Sequence, residues 1–243
     1  MFKNVLIILL TIPTLTMTPN SFLFLSLLFL QTLFSQSVQR DSIHRYREDQ
    51  FYLGISFVTL LNDEKDFNQN GLSGDFQIGF IRDMPLVSNG RLSFGIGVGY
   101  EQQQFNSNLL RLTDPNSDSY YIFQTSNEEV QKMKYHFKSL AIPLTFRWRT
   151  STTTNYKFWR LYTGVKLRWT FSSMAIKNQQ KINIKNDIHP WTTEGFISFG
   201  YNTWNIYLGY EFSSIFNQRV RQSDVLVPLD IRALKFGLIF YVL

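Results

Sequence analysis

The chain has 243 residues, enough for one large domain or two small ones, and a formal net charge of +6, too mild to argue for nucleic acid without a stacking platform or DNA-binding motif. The absence of cysteine excludes disulfides, thiolate metal sites and lipid anchors on cysteine. Aromatic residues reach 16% while mean hydropathy is slightly negative, which argues against a bundle of transmembrane helices.

Two apolar stretches open the chain, Val5 to Leu15 and Phe22 to Phe34, separated by Thr18, Pro19 and Asn20. Each is too short to span a bilayer comfortably, and Leu33-Phe34-Ser35-Gln36 suits cleavage, so residues 1–36 read as a removed export signal. An uncleaved helical anchor is the alternative, and translation starting at Met17 instead of Met1 would discard Lys3, the one positive charge before Arg40. Residues 37–49 read as a short polar periplasmic leader and residues 50–243 as the folded domain.

After Gln50 a period-two alternation recurs about eight times. The apolar faces are Phe51 to Phe57, Leu72 to Phe80, Leu92 to Tyr100, Leu140 to Trp148, Trp159 to Trp169, Ile197 to Tyr201, Trp204 to Phe212 and Leu234 to Leu243. In the third, Leu92, Phe94, Ile96, Val98 and Tyr100 alternate with Ser93, Gly95, Gly97 and Gly99. That spacing is GxGxG within a strand pattern and not the GxGxxG of a dinucleotide-binding turn. A soluble sandwich would turn long polar residues to water on the second face. Here glycine, serine and tyrosine dominate that face, as the crowded inside of a narrow barrel requires, and the bulk faces lipid. The expected fold is therefore all-β: a transmembrane antiparallel up-and-down β-barrel of about eight strands, preceded by a signal peptide.

With the mature N-terminus in the periplasm, outward loops are expected at about Asn62–Asn70, Asn106–Met133, Ser173–His189 and Ser214–Arg232. The inward turns fall at about Arg82–Gly90, Ser151–Tyr156 and Asn202–Thr203, short as periplasmic turns are. Trp148, Trp159, Tyr201 and Trp204 gather beside those turns as an inner aromatic girdle. Their alternative reading is ordinary core packing.

The segments GFIRDMPL (79–86), GIGVGYEQ (95–102), SLAIPLTFRWR (139–149), YTGVKLRW (162–169) and KFGLIFYVL (235–243) resemble the outer-membrane β-barrel proteins of the Bacteroidota, which include the PorT-like proteins. The resemblance spans nearly all the mature chain and implies an integral outer-membrane location and, through PorT, an accessory role in type IX secretion. Relatives often carry Glu before the Ile-Pro pair, where this chain has Ala141. The last strand, with Phe236, Leu238, Phe240 and Val242 on one face, looks like the strand by which the barrel-assembly machinery takes up its clients.

The lumen candidates are Asp75, Glu101, Glu194 and Glu211 against Arg147, Arg149, Arg160, Lys166 and Arg168. Five cations on two adjacent strands demand carboxylates from other strands, so mutual pairing is expected. A basic inner vestibule of Arg147, Arg149 and Arg160, open to an anionic partner, is the sharper alternative. His44, His136 and His189 are the only histidines. His136 with Ser139 or Glu129 can be drawn as a nucleophile and base, but no spacing enforces it. Lys177, Lys181 and Lys185 recur every four residues and could meet lipopolysaccharide phosphates, or be solvated loop lysines. No catalytic site, metal site or cofactor is expected. The functional classes are a structural or interaction barrel, then a narrow porin-like channel, then a lipid-modifying enzyme. The expected partners are outer-membrane lipids, the assembly machinery and envelope or secretion proteins.

Overall fold

A computed structural model describes residues 49–62, 66–69, 71–113, 119–124, 133–150, 158–222 and 225–242. The expected signal peptide, most of the polar leader, His44 and Glu129 lie outside the described residues.

Eight long strands follow one another around a closed antiparallel barrel. They are β1 (Gln50–Leu61), β2 (Gly74–Pro85), β3 (Leu92–Ser107), β6 (Met133–Arg149), β7 (Trp159–Lys177), β9 (Trp191–Tyr201), β10 (Trp204–Glu211) and β13 (Arg232–Val242). Each hydrogen-bonds to the next, β6 pairs with β7, and β1 pairs with β13 from Phe51 opposite Val242 to Leu61 opposite Arg232, which closes the ring. Closure leaves the eight strands no open edge to lipid, the condition for strands to cross a membrane.

The alternation decides which face is which. In β1 every second residue is buried, and Phe51, Ile55 and Phe57 lie about 60% exposed on the outside. The same outward bulk runs through Phe94, Ile96 and Val98 of β3. Along β7 the outward face runs from Trp159 to Trp169; at about 3.4 Å per residue and a tilt of about 45° this covers roughly 24 Å of membrane normal, the height of an outer-membrane apolar band. The intervening glycines are required by close approach: a Cβ on Gly95 would lie 2.5 Å from Thr145 Oγ1, and one on Gly99 would collide with the Tyr52 hydroxyl.

The turns at one end are short. Asn202 and Thr203 join β9 to β10, with Asn202 at φ 57°, the left-handed region asparagine tolerates best among residues with a side chain. At the opposite end three of the four regions expected to be loops carry strands of their own. Strands β3, β6 and β7 run well past the lipid band, and β7 turns at Asn178 and Gln179, both at positive φ, into β8 (Gln180–Asn183). The second and fourth outer connections contribute β4 (Leu109–Thr113), β5 (Ser119–Phe123), β11 (Arg219–Gln222) and β12 (Val225–Pro228), which form a separate sheet ordered β12-β11-β5-β4. At the inner end β2 continues through Arg82 and Asp83 to Pro85, so the expected turn at Arg82 begins later.

Candidate functional site

The lumen is filled in layers. At the inner end Asp83 of β2 accepts hydrogen bonds from Arg147 Nη1 at 2.7 Å, Arg149 Nη2 at 2.8 Å and Ser93 Oγ at 2.7 Å. Arg149 Nε also donates to the Gly90 carbonyl at 2.7 Å, Arg147 donates to Gln50 Oε1, and the Arg147 guanidinium lies 4.3 Å from the centre of the Tyr162 ring. Arg160 donates to the Asn202 carbonyl and lies over Phe158. All three arginines are 0–2% exposed. Among the described residues the inner end therefore presents no open cationic wall, and the vestibule drawn from the sequence gives way to arginines turned onto Asp83 and backbone carbonyls.

The middle layer is one network across six strands. Lys166 Nζ lies 2.6 Å from Glu101 and 3.2 Å from Glu194, and donates to Gln77 Oε1 at 2.9 Å and Tyr207 Oη at 2.9 Å. Lys235 Nζ lies 2.9 Å from Glu194, 3.0 Å from Asp75 and 3.3 Å from Glu101. Arg168 sits 2.6 Å from Glu211 and donates to Thr192 Oγ1 at 3.0 Å. Ala141, in register with Gly99 on one side and Arg168 on the other, puts no carboxylate into this layer. Charges buried this completely are tolerable only when paired and hydrogen-bonded.

Two network members escaped the sequence reading. The sequence pattern puts Asp83 in the Arg82–Gly90 turn, whereas β2 continues through it and turns it inward. Lys235 alternates with Phe236 and Leu238 on the last strand, so period two alone puts it inside.

Above the charges the lumen becomes apolar. Phe216, from the connection after β10, stands edge-on to Tyr135 at 5.5 Å, tilted against Tyr121 at 5.4 Å and near Phe105, which stacks on Tyr135 at 5.1 Å and Phe137 at 5.4 Å. Leu109, Val220, Ile231 and Ala233 belong to the same buried cluster. The outer sheet is tied down by Asp187, in a single helical turn at residues 185–187. Its carboxylate accepts from Arg111 Nε at 2.6 Å and Tyr121 Oη at 2.8 Å, and its carbonyl from the Asn217 N–H at 2.9 Å. Burial opposes the Arg111 charge, but the Asp187 carboxylate outweighs it and raises the Arg111 pKa; burial, with Tyr135 and Asp187 nearby, pushes the Tyr121 phenol well up. Beside this knot lies an open cleft of about 700 Å³ lined by Arg111, Tyr120, Asn186, Asn217 and Arg219 among others. Amides, arginines and one aromatic ring are chemistry for a polar ligand, and Arg219 has no ion-pair partner among the described residues.

The remaining sequence candidates fall as follows. Trp159 stacks on Phe199 at 5.1 Å and meets Tyr201 at 5.4 Å, and Trp204 meets Phe240 at 4.6 Å. With Trp148 they lie outward beside the short turns, where a girdle belongs. Phe236, Leu238 and Val242 also face outward. His136 and Ser139 lie on opposite faces of β6: Ser139 points inward to Thr170 Oγ1 at 2.9 Å, so the two cannot act together. Among the described residues no three histidine, aspartate or glutamate side chains are grouped to hold a metal.

A closed antiparallel barrel with an apolar exterior, an aromatic girdle and a lumen of paired charges defines an integral outer-membrane β-barrel. The chain belongs to the family described as outer membrane protein beta-barrel domain, whose model matches residues 34–222, and it resides in the outer membrane. No curated protein matches the sequence. Among solved structures it is similar to Ail, the attachment invasion locus protein of Yersinia pestis, in complex with the heparin analogue sucrose octasulfate, at 11% identity over 80% of this chain and 97% of that one, with a TM-score of 0.35. It is also similar to Ail in a phospholipid bilayer nanodisc, at 10% identity over 80% of this chain and all of that one, with a TM-score of 0.26.

Proposed function

We propose that this protein is a non-conducting, non-enzymatic interaction barrel, in which the membrane-spanning part is a rigid support and the outer sheet with its cleft is the working surface. The observation that carries this reading is the filling of the lumen from Asp83 at the inner end to Phe216 at the outer one. Water and ions crossing this barrel would have to break buried ion pairs and then displace stacked aromatic rings. An eight-stranded barrel is just wide enough for its own side chains. The resemblance of the strand segments to PorT-like proteins supports the finer reading of an accessory to type IX secretion, with envelope or secretion proteins as partners. The outward apolar face of β13 supports uptake by the barrel-assembly machinery.

The test is a planar-bilayer recording on the folded full chain, alongside affinity capture from an envelope extract with the wild type and with Arg219→Glu. Absence of single-channel steps, with a protein captured by the wild type and lost with Arg219→Glu, is the expected result. Stable steps of uniform conductance would overturn the non-conducting reading. Normal secretion in a deletion strain would remove the secretion role while leaving the interaction barrel in place.

A further inference from the structure

Above its apolar band the outward face of β6 changes character: Leu140 is followed by Lys138, His136 and Lys134. Lys138 and Lys134 are exposed and His136 half-buried. Register extends this face sideways, because Lys134 lies opposite Ile176 of β7, and Ile176 opposite Lys181 of β8. On the other side Lys138 and His136 face Gln102 and Gln104 of β3. Three lysines and a histidine thus share one face, on β6 and β8 with Ile176 of β7 between them, and at about 4.8 Å per strand Lys134 and Lys181 are about 10 Å apart. The patch includes no carboxylate among the described residues, and none of its lysines has an ion-pair partner there.

The level of the patch is set by what lies under it. Tyr100, Leu140, Trp169 and Trp191 are in register across four neighbouring strands, and the Trp169 and Trp191 rings lie 6.3 Å apart. Such a row marks the outer edge of the hydrocarbon. At about 2.4 Å of membrane normal per residue, Lys138, His136 and Lys134 stand roughly 5, 10 and 14 Å above it. The headgroup layer of a bilayer is about 5–8 Å deep on each side. Lys138 is therefore inside that layer, and Lys134, with Lys181 level with it, is rooted beyond its outer margin, from where a four-carbon lysine stem reaches back toward it.

We propose that this patch binds the phosphate groups of an anionic lipid in the outer leaflet, with Lys134, Lys138 and Lys181 supplying the charge and the aromatic row lying against the acyl chains. A solvated loop face would not need its cations aligned directly above an aromatic edge. Of the lysines spaced by four in the third connection, only Lys181 joins the patch; its partners come from the KYHFK run of β6, where period two and not period four puts charges together.

The test uses the folded full chain in neutral detergent and measures retention of diphosphoryl lipid A against its dephosphorylated form. A lysine at an anionic surface contributes about fivefold in binding, so K134Q/K138Q/K181Q together lose retention by roughly a hundredfold at low salt, and K185Q changes nothing. Unboiled gel migration checks that each variant is folded, and K138Q alone, with a loss of about fivefold, serves if the triple variant is not. Equal retention by wild type and variants overturns the proposal, as does equal retention of the dephosphorylated lipid. Inorganic phosphate that displaces the lipid at low concentration would show a free-anion site and overturn the lipid assignment.

Discussion

Replacing Lys235 by methionine removes the one ammonium that touches three carboxylates, with Glu194 at 2.9 Å, Asp75 at 3.0 Å and Glu101 at 3.3 Å. The middle layer holds the carboxylates of Asp75, Glu101, Glu194 and Glu211 and the cations of Lys166, Arg168 and Lys235, so four negative charges face three positive ones. Lys235→Met leaves four against two, with methionine close enough in volume that no large cavity adds to the cost. Breaking a buried pair by removing one partner costs about 3–5 kcal/mol, which is roughly two to four powers of ten in the folding equilibrium. Asp75→Asn leaves three against three and keeps an oxygen for Lys235, so it costs less than about 1 kcal/mol. The double variant, with three against two, falls between the single ones. The assay is urea unfolding in phospholipid vesicles, followed by tryptophan fluorescence and by the shift between unboiled and boiled gel migration. The order expected is wild type and Asp75→Asn together, then the double variant, then Lys235→Met. Lys235→Met within about 1 kcal/mol of wild type would refute the pairing argument, and so would a double variant less stable than Lys235→Met alone.

Other outcomes follow from single contacts. Gly99→Ala drives a methyl into the Tyr52 hydroxyl and costs about 1–3 kcal/mol in the same unfolding assay, and adding Tyr52→Phe recovers part of that loss, whereas an unchanged cost would place the clash elsewhere. Asp187→Ala takes the carboxylate from Arg111 and the acceptor from Tyr121 and loosens the outer sheet by about 2–3 kcal/mol, read as faster proteolysis of the outer connections with the barrel intact. Burial first, then the charges of Lys134, Lys138 and Lys181, lower the His136 pKa, while β3 and β7 present it only Gln104 and Met174. The unfolded chain then takes up this proton first, near pH 6.5, so stability from this group is intact above that pH and is lost as pH falls through it. The urea midpoint of wild type should therefore drop more steeply than that of His136→Gln between pH 7 and 5; parallel slopes would contradict the assignment.

The eight barrel strands and their two faces were legible because period two is enforced twice, by lipid outside and by a packed lumen inside. Strand ends were less legible. Once β3 and β6 leave the lipid their outward residues become Gln102 and Lys138, and the greasy signal that marked those strands disappears although the pairing continues. The β7–β8 hairpin was hidden by Asn178-Gln179, which adopts positive φ without the glycine that usually announces it. In the site, the carboxylates and cations named from the sequence are all buried, and strand alternation was enough to put them there. Which one touches which depends on register around a closed ring, and a contact such as Lys235 with Asp75 joins residues from opposite ends of the domain. Asp187 carried no signal, since its partners Arg111 and Tyr121 come from the second outer connection and Asn217 from the fourth.

The position of Lys235 on the last strand also bears on how the barrel forms. Asp75 and Glu101 reach the membrane on β2 and β3, and their shared counter-ion arrives only with β13, 160 residues after Asp75. An unclosed sheet lacking β13 would hold those carboxylates with only Lys166 and Arg168 to answer them, in a setting where each unpaired charge is costly. Zipping β13 onto β1 ends the sheet's open edge and brings the interior its third cation in one event. Incomplete barrels therefore gain little from entering the bilayer, which favours insertion with β13 already in place.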